Sequence, residues 1–281
     1  MELLGNLAHP IEMPGPKIEK MKEKLQIPIM SELAAKNESV EVLFWVGCAG
    51  SFDDRAQKIT KAMVKILQQA KISFAILGQE ETCTGDPAKR AGNEFLFQMQ
   101  AFTNVQTLNT YGIKKIVTAC PHCFNTIKNE YPALGGNYDV VHHTVFINQL
   151  LEAGLFTIQG GAFKGKKITY HDSCYLGRAN GIYEAPRNLI EKLDAEFVEM
   201  KRCKSKGFCC GAGGAQIFKD AENGTDEVNQ NRAKEAMETG ASIVAANCPF
   251  CTTMMRDGLK ENESEAKVKD IAELIAEAND L

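Results

Sequence analysis

From residue 42 onward, short apolar runs alternate with longer segments whose apolar residues recur three and four apart, which is the pattern of strand–helix repeats around a mainly parallel sheet. Residues 43–46, 72–77, 115–118 and 139–143 read as strands. Residues 55–70, 94–110, a segment from Phe124 and residues 144–152 read as helices; in the first of these Ile59, Met63, Ile66 and Leu67 fall on one face. A glycine- and lysine-rich stretch, 154–167, has weak periodicity and reads as a linker. Beyond it the alternation resumes. Strands are predicted at 168–171, 196–200 and 242–246, and helices at 185–193, 227–239 and 252–259. A last amphipathic helix carries Val268, Ile271, Leu274 and Ile275. Residues 1–40, with Pro10, Pro14, Pro16 and Pro28, read as an extended N-terminal arm, either a leader or a strap laid on a partner subunit. The predicted domains are therefore 1–40, 41–158 and 159–281.

The two predicted domains are copies. Cys48 and Cys174 are 126 residues apart (174 − 48), as are Cys83 and Cys209 (209 − 83). Cys120 and Cys248 are 128 apart (248 − 120), as are Cys123 and Cys251 (251 − 123). The flanking sequence agrees, with Ile116 to Cys123 matching Val244 to Cys251. Long-period self-similarity outweighs any single propensity. The expected fold is thus α/β, two tandem Rossmann-like three-layer modules with parallel sheets, related by internal duplication.

Length and charge narrow the partners. A chain of 281 residues suits two ordinary domains, each with its own core. Net charge is −4 and the cations are scattered, so nothing points to nucleic acid. No apolar run is long enough to span a bilayer, and residues 1–16 lack a charged segment followed by an apolar one. This reads as a cytoplasmic chain, membrane-associated, if at all, peripherally through partners. Ten cysteines in such a chain, several in C-x-x-C pairs, favour metal or redox chemistry over structural disulfides.

Candidate chemistry centres on Lys206-Gly207-Phe208-Cys209-Cys210-Gly211-Ala212-Gly213-Gly214. Adjacent cysteines followed by glycines pack poorly as core and leave the backbone free to approach another group. With Cys174 upstream and Cys248 and Cys251 downstream, the second half offers five thiols. Cys48, Cys120, Cys174 and Cys248 each follow a predicted strand, where sites of open parallel sheets lie. Pro121 and Pro249 suit a first helical turn, whose amides favour thiolate. Five thiolates exceed the four of tetrahedral zinc, so an iron–sulfur cluster fits better, with amides of Gly211, Gly213 and Gly214 free to donate to its sulfurs. In the first half Thr84 stands where Cys210 stands in the second. That leaves Cys48, Cys83, Cys120 and Cys123, a set that suits a cubane [4Fe-4S] cluster or zinc, and a purely structural half remains a third option. Cys203 reads as a spare thiol. His122, His142 and His143 read as capping or packing residues, while His171 is a candidate for a role beside the second site. The Gly211–Gly214 run is not a dinucleotide loop, since it follows two cysteines and lacks the third glycine.

The spacing Cys, Cys-Cys-Gly, Cys-Pro-x-Cys, occurring twice, resembles the cysteine-rich CCG domain of the heterodisulfide reductase catalytic subunit family, over about residues 41–281. Phe44 to Gly50 and Tyr170 to Arg178 are most similar to the electron-transfer-flavoprotein-linked, membrane-associated branch. The resemblance implies a noncubane [4Fe-4S] cluster on Cys174, Cys209, Cys210, Cys248 and Cys251, with Cys209, Cys210 and His171 as the catalytic candidates. It implies an iron–sulfur electron-transfer subunit of a multi-subunit oxidoreductase, with ferredoxin-like or flavoprotein partners and a quinone- or membrane-linked one. In the reductases proper, two such clusters cleave a disulfide by one-electron steps. Thr84 departs from that pattern, and so does the lack of the C-x-x-C-x-x-C runs that the branch carries ahead of this region, so electrons are expected to arrive from a separate subunit, or that segment is encoded elsewhere. A thiol–disulfide reductase and a zinc-stabilised assembly module are the alternative expectations.

Overall fold

The computed structural model describes residues 25–220 and 223–281. They group into two compact units, one ending at His143 and the other beginning at Thr144.

The first unit is built on four strands, β1 (Val42–Trp45), β2 (Phe74–Ala75), β3 (Lys115–Thr118) and β4 (Asp139–His142), all parallel in the order β2-β1-β3-β4. Parallel neighbours need crossovers. These are α2 (Gly47–Phe52) with α3 (Ala56–Gln69), then α4 (Asp86–Arg90) with α5 (Glu94–Thr110), and then α6 (Pro121–Asn129). All four residues of β1 are buried, as expected for a strand covered on both faces. Helix α3 forms because Asp53 accepts from the Ala56 amide at 2.7 Å and Ile59, Met63, Ile66 and Leu67 meet the sheet from one face. Helix α5 starts at Asn93, whose side chain accepts from the Leu96 amide at 3.0 Å.

Residues 1–24 of the predicted arm lie outside the described residues. The rest of it packs on the first unit. Ile27, Ile29 and Met30 are buried, the last opening a short helix α1 (Met30–Ala34). Ile29 bridges Ile76 in parallel, with Met30 donating to the Ile76 carbonyl at 2.9 Å and Ile76 to that of Pro28 at 3.0 Å. That pairing takes up the end of the predicted strand 72–77.

The second unit repeats the plan. Its strands β5 (Lys167–Tyr170), β6 (Glu196–Val198), β7 (Ile243–Ala246) and β8 (Lys267–Asp270) run parallel in the order β6-β5-β7-β8. The helices are α7 (His143–Glu152), which begins one residue before the division between units, α8 (Glu184–Glu191), α9 (Val228–Met237), α10 (Pro249–Glu261) and α11 (Ile271–Ala278). Strand β8 was not expected. Its sequence, Lys-Val-Lys-Asp, holds one apolar residue, which suffices for an edge strand with one neighbour but not for a recognisable apolar run. The repeat points to it, because β8 lies 128 residues after β4 (267 − 139). The predicted last helix accordingly begins at Ile271, where Asp270 and Glu273 close a capping box.

Candidate metal centre

In a doubly wound sheet of order β2-β1-β3-β4, the chain leaves β1 toward one edge and β3 toward the other, which opens a crevice beyond their carboxyl ends. Cys48 follows β1 and Cys120 follows β3; in the second unit Cys174 follows β5 and Cys248 follows β7. Topology alone therefore brings each unit's cysteines to one crevice. Cys120 and Cys248 occupy the N-cap positions of α6 and α10, with a proline in the first turn, so Cys123 and Cys251 sit within that turn.

In the second unit the five sulfurs form an unbroken chain. Cys174 contacts Cys209, Cys209 contacts Cys210, Cys210 contacts Cys251, and Cys251 contacts Cys248. The Cys210 and Cys251 sulfurs are 3.3 Å apart, a thiol contact rather than a bond, and all ten cysteines are free. Cys210, Cys248 and Cys251 are buried among Ala212, Ile217, Phe250 and Met254, whereas Cys174 and Cys209 reach partly to solvent. Cys209 is the preferred thiolate. Hydrogen bonds from Cys174 and Cys210, and one from the Gly211 amide at 3.2 Å, pull it down to about 2 against the cost of burial. Contact with Cys209 pushes Cys210 up to about 12 and pushes Cys174 up as well, contacts with Cys210 and Cys248 push Cys251 up, and burial acts in the same sense on all three. Crowded sulfurs resist a second charge, so full deprotonation needs bound positive charge, which a thiolate-bound metal group supplies. The all-sulfur donor set fits such a group.

Of the glycines in the Cys-Cys-Gly loop, Gly211 and Gly214 both have a left-handed φ, +67° at Gly214, and Gly211 is also crowded. Its φ is +94° and a Cβ would come within 3.3 Å of both Met254 and Val228. At Gly213 a Cβ would meet only the Tyr175 ring at 3.9 Å, and its carbonyl accepts from the Gln216 amide at 3.2 Å.

Charged residues outside the cysteine pattern hold this loop. Asp172 accepts from Arg187 Nη1 and Nη2, both at 2.9 Å, and from the Lys204 amide at 2.7 Å. Glu199 completes the cage around Arg187, and Arg178 Nη2 donates to the Gly207 carbonyl at 2.6 Å. The strand β5 end and the segment leading to Cys209 are thus tied together. His171 lies deeper. One of its ring nitrogens and the sulfurs of Cys210 and Cys251 all lie within 4.8 Å of one another. Burial, and then the Arg232 guanidinium, push His171 down to about 3, so the ring is neutral.

The first unit gathers four sulfurs, with Cys48 against Cys83 and Cys120 against Cys123. Donation by Cys48, together with the Gly85 amide, lowers Cys83, while Cys48 and Cys123 are raised by their partners and by burial. Thr84, in the place of Cys210, is buried, and its carbonyl accepts from Tyr131 Oη at 3.2 Å. Gly47 has φ +76°, and a Cβ there would stand 3.3 Å from Cys123 Sγ. The tether between loops recurs with its polarity reversed. Here Glu81, from the Cys83 loop, accepts from the Val46 amide at 3.1 Å and the Gly47 amide at 2.6 Å, whereas in the second unit Asp172 reaches from the strand loop. Burial pushes Glu81 up to about 8 against those two amides.

Among the remaining candidates, His122 Nδ1 is 2.9 Å from Asp86, and the His142 and His143 rings pack with centroids 4.4 Å apart. Cys203 is partly exposed, in a loop before the Cys209 segment. Arg232, Glu81 and Asp172 were not expected at the sites, although Glu81 and Asp172 are each two residues from a cysteine.

Fold and site together define a duplicated α/β protein with a thiol-rich crevice in each copy. The model of the cysteine-rich domain named CCG matches residues 42–128 and 168–256, and the chain belongs to that family. It is 41% identical over 254 residues to the EtfAB:quinone oxidoreductase of Syntrophomonas wolfei, an alignment covering 88% of this chain and 35% of the relative. It is 41% identical over 256 residues to the probable iron-sulfur-binding oxidoreductase FadF of Bacillus subtilis, covering 90% and 36%. To one subunit of the dihydromethanophenazine:CoB–CoM heterodisulfide reductase of Methanosarcina barkeri it is 35% identical over 248 residues, covering 86% and 59%. The chain thus spans about a third of the length of the first two relatives and under two thirds of the third. No helix among the described residues is long and apolar enough to cross a membrane.

Proposed function

We propose that this chain is an iron–sulfur electron-transfer component of a heterodisulfide-reductase-like oxidoreductase, with Cys174, Cys209, Cys210, Cys248 and Cys251 holding a noncubane [4Fe-4S] cluster. The observation that carries this is the unbroken chain of five sulfurs, one more than tetrahedral zinc takes. A bound cluster supplies one-electron redox chemistry. The protein's own part is to keep three of the sulfurs dry, to hold the Cys209 loop through Asp172 and Arg187, and to offer the Gly211 amide to sulfur. Cys48, Cys83, Cys120 and Cys123 hold a second cluster of the cubane kind, or zinc. By likeness to the EtfAB:quinone oxidoreductase, the chain would exchange electrons with redox partners, a flavoprotein or ferredoxin-like subunit on one side and a quinone- or membrane-linked one on the other. Anaerobic purification with iron and sulfide analysis and EPR tests the proposal. A preparation holding zinc and no iron refutes it.

A second reading, reduction of a disulfide at the same site, is favoured by one feature. An open cleft of about 720 Å³ lies beside the Cys-Cys-Gly loop, lined by Gly211, Ile217, Val228 and Met254 among others, and would admit a substrate to it. Thiol release from an asymmetric disulfide by the reduced, iron-loaded chain supports this reading. Electron transfer to a quinone or flavoprotein without such release rejects it.

A further inference from the structure

Arg232, in α9, is completely buried, deeper than any other described lysine or arginine of the second unit. Its Nη1 donates to the Arg202 carbonyl at 3.0 Å and to Glu235 at 2.9 Å, and its Nη2 has no hydrogen-bond partner among the described residues. Its Nε donates to His171 Nδ1 at 3.0 Å. A guanidinium has five N–H donors and no acceptor, so Nδ1 must present a lone pair and the ring proton must be on Nε2. The consequence is chemical. A metal-binding histidine hands the proton of its far nitrogen to an acceptor, which leaves the near nitrogen bare for the metal. Here the polarity is inverted, and the ring nitrogen not bound to Arg232 carries a hydrogen, in a ring that has one nitrogen within 4.8 Å of the Cys210 and Cys251 sulfurs.

The other copy shows what lies at these places when the fifth thiol is missing. His171 corresponds to Trp45 (171 − 126), and Arg232 to Asn104 (232 − 128), a register in which the buried positions Asn104, Val105 and Leu108 of α5 match Arg232, Ala233 and Ala236 of α9. Asn104 serves the Cys83 loop through its carbonyl and Tyr131, and Trp45 Nε1 finds no hydrogen-bond partner among the described residues. The arginine–histidine pair therefore accompanies the five-thiol site alone.

We infer that Arg232 is a positioning residue that commits His171 to the Nε2–H tautomer, making it an N–H donor to the sulfurs of the five-thiol site and barring it from serving as a metal ligand. This rests on the reading of that site as an iron–sulfur centre. Donors to cluster sulfur stabilise the more negative, reduced state, so the pair holds the potential of this centre up.

The test has two readouts. In the reduced, metal-free full chain labelled with ¹⁵N-histidine, the signal missing from His171→Gln should report an Nε2–H imidazole, and Arg232→Met should shift it toward the Nδ1–H form. A wild-type His171 with its proton on Nδ1 overturns the inference whatever metal the chain binds. In the anaerobically iron-loaded chain, EPR-monitored titration should place the second-site midpoint lower in His171→Leu and Arg232→Met. The double variant should fall no further than the lower single one, while His171→Gln and Arg232→Lys, which keep a donor, should remain near wild type. An unmoved midpoint in His171→Leu, or loss of iron from it as from a ligand variant, overturns the inference. If Arg232→Met does not fold, Arg232→Lys and the wild-type tautomer still decide. Zinc without iron in the wild-type chain sinks the iron–sulfur reading instead, and the tautomer result is read separately.

Discussion

Replacing Asp172 by alanine should destabilise the second unit markedly, and the reason is local. The substitution strips Arg187 of two hydrogen bonds of 2.9 Å and leaves the Lys204 amide without its 2.7 Å partner. Both charged side chains are 4% exposed. Removing one member of a buried pair costs about 3–5 kcal/mol, because the other charge stays buried. Glu199, which is 34% exposed and still bound to Arg187, places the expected loss near the lower figure, about 3 kcal/mol. For a unit of this size that is a fall in Tm of roughly 10 °C. Thermal unfolding of the reduced, metal-free chain followed by circular dichroism measures it, with Asp172→Ala/Arg187→Met as the control. The double variant removes the stranded cation and should regain most of the loss. A single variant within about 1 kcal/mol of wild type, or a double variant no better than the single, refutes this account of what holds the Cys209 loop.

Thr84→Cys restores a fifth thiol to the first unit, and the iron-loaded variant should add a second copy of the five-thiol EPR signal; unchanged spectra with full iron content count against equivalence of the two crevices. Gly47→Ala places a side chain at φ +76° and 3.3 Å from Cys123 Sγ, so the metal-free chain should lose about 1–2 kcal/mol, with iron released selectively from the first site. Glu81, at about 8 against an ordinary 4.5, binds its proton more tightly in the folded chain. It therefore contributes stability fully below about pH 4.5 that is lost as the pH rises to 8. Urea unfolding of the metal-free chain should show the advantage of wild type over Glu81→Gln shrinking across that window, and a constant difference shows that Glu81 does not titrate there.

Much of the fold was legible because burial in parallel sheets writes itself as period. Trp45 and its neighbours, covered on both faces, form an apolar run, and Ile59, Met63, Ile66 and Leu67 mark a helix face. What escaped had little apolar content to betray it. Strand β8 survives on one buried valine and a neighbouring strand, and α2 is a short glycine-rich turn of helix around Cys48. The described part of the predicted arm joins the first unit because Ile27, Ile29 and Met30 find an unpaired sheet edge, which local sequence does not announce.

The cysteine spacing and the shifts of 126 and 128 residues, by themselves, specify a duplicated module and its nine candidate thiols, because covalent order and strand period are one-dimensional properties. Which polar groups surround those thiols is a three-dimensional matter. Arg232 is 61 residues from His171, and Glu81 is 34 residues from the Gly47 amide it accepts from. Only the strand order, which lays β2 beside β1 and both β6 and β7 beside β5, brings such distant groups within hydrogen-bond range. Tertiary structure thereby decided that His171 meets a donor on one side, and so which of its nitrogens holds the proton.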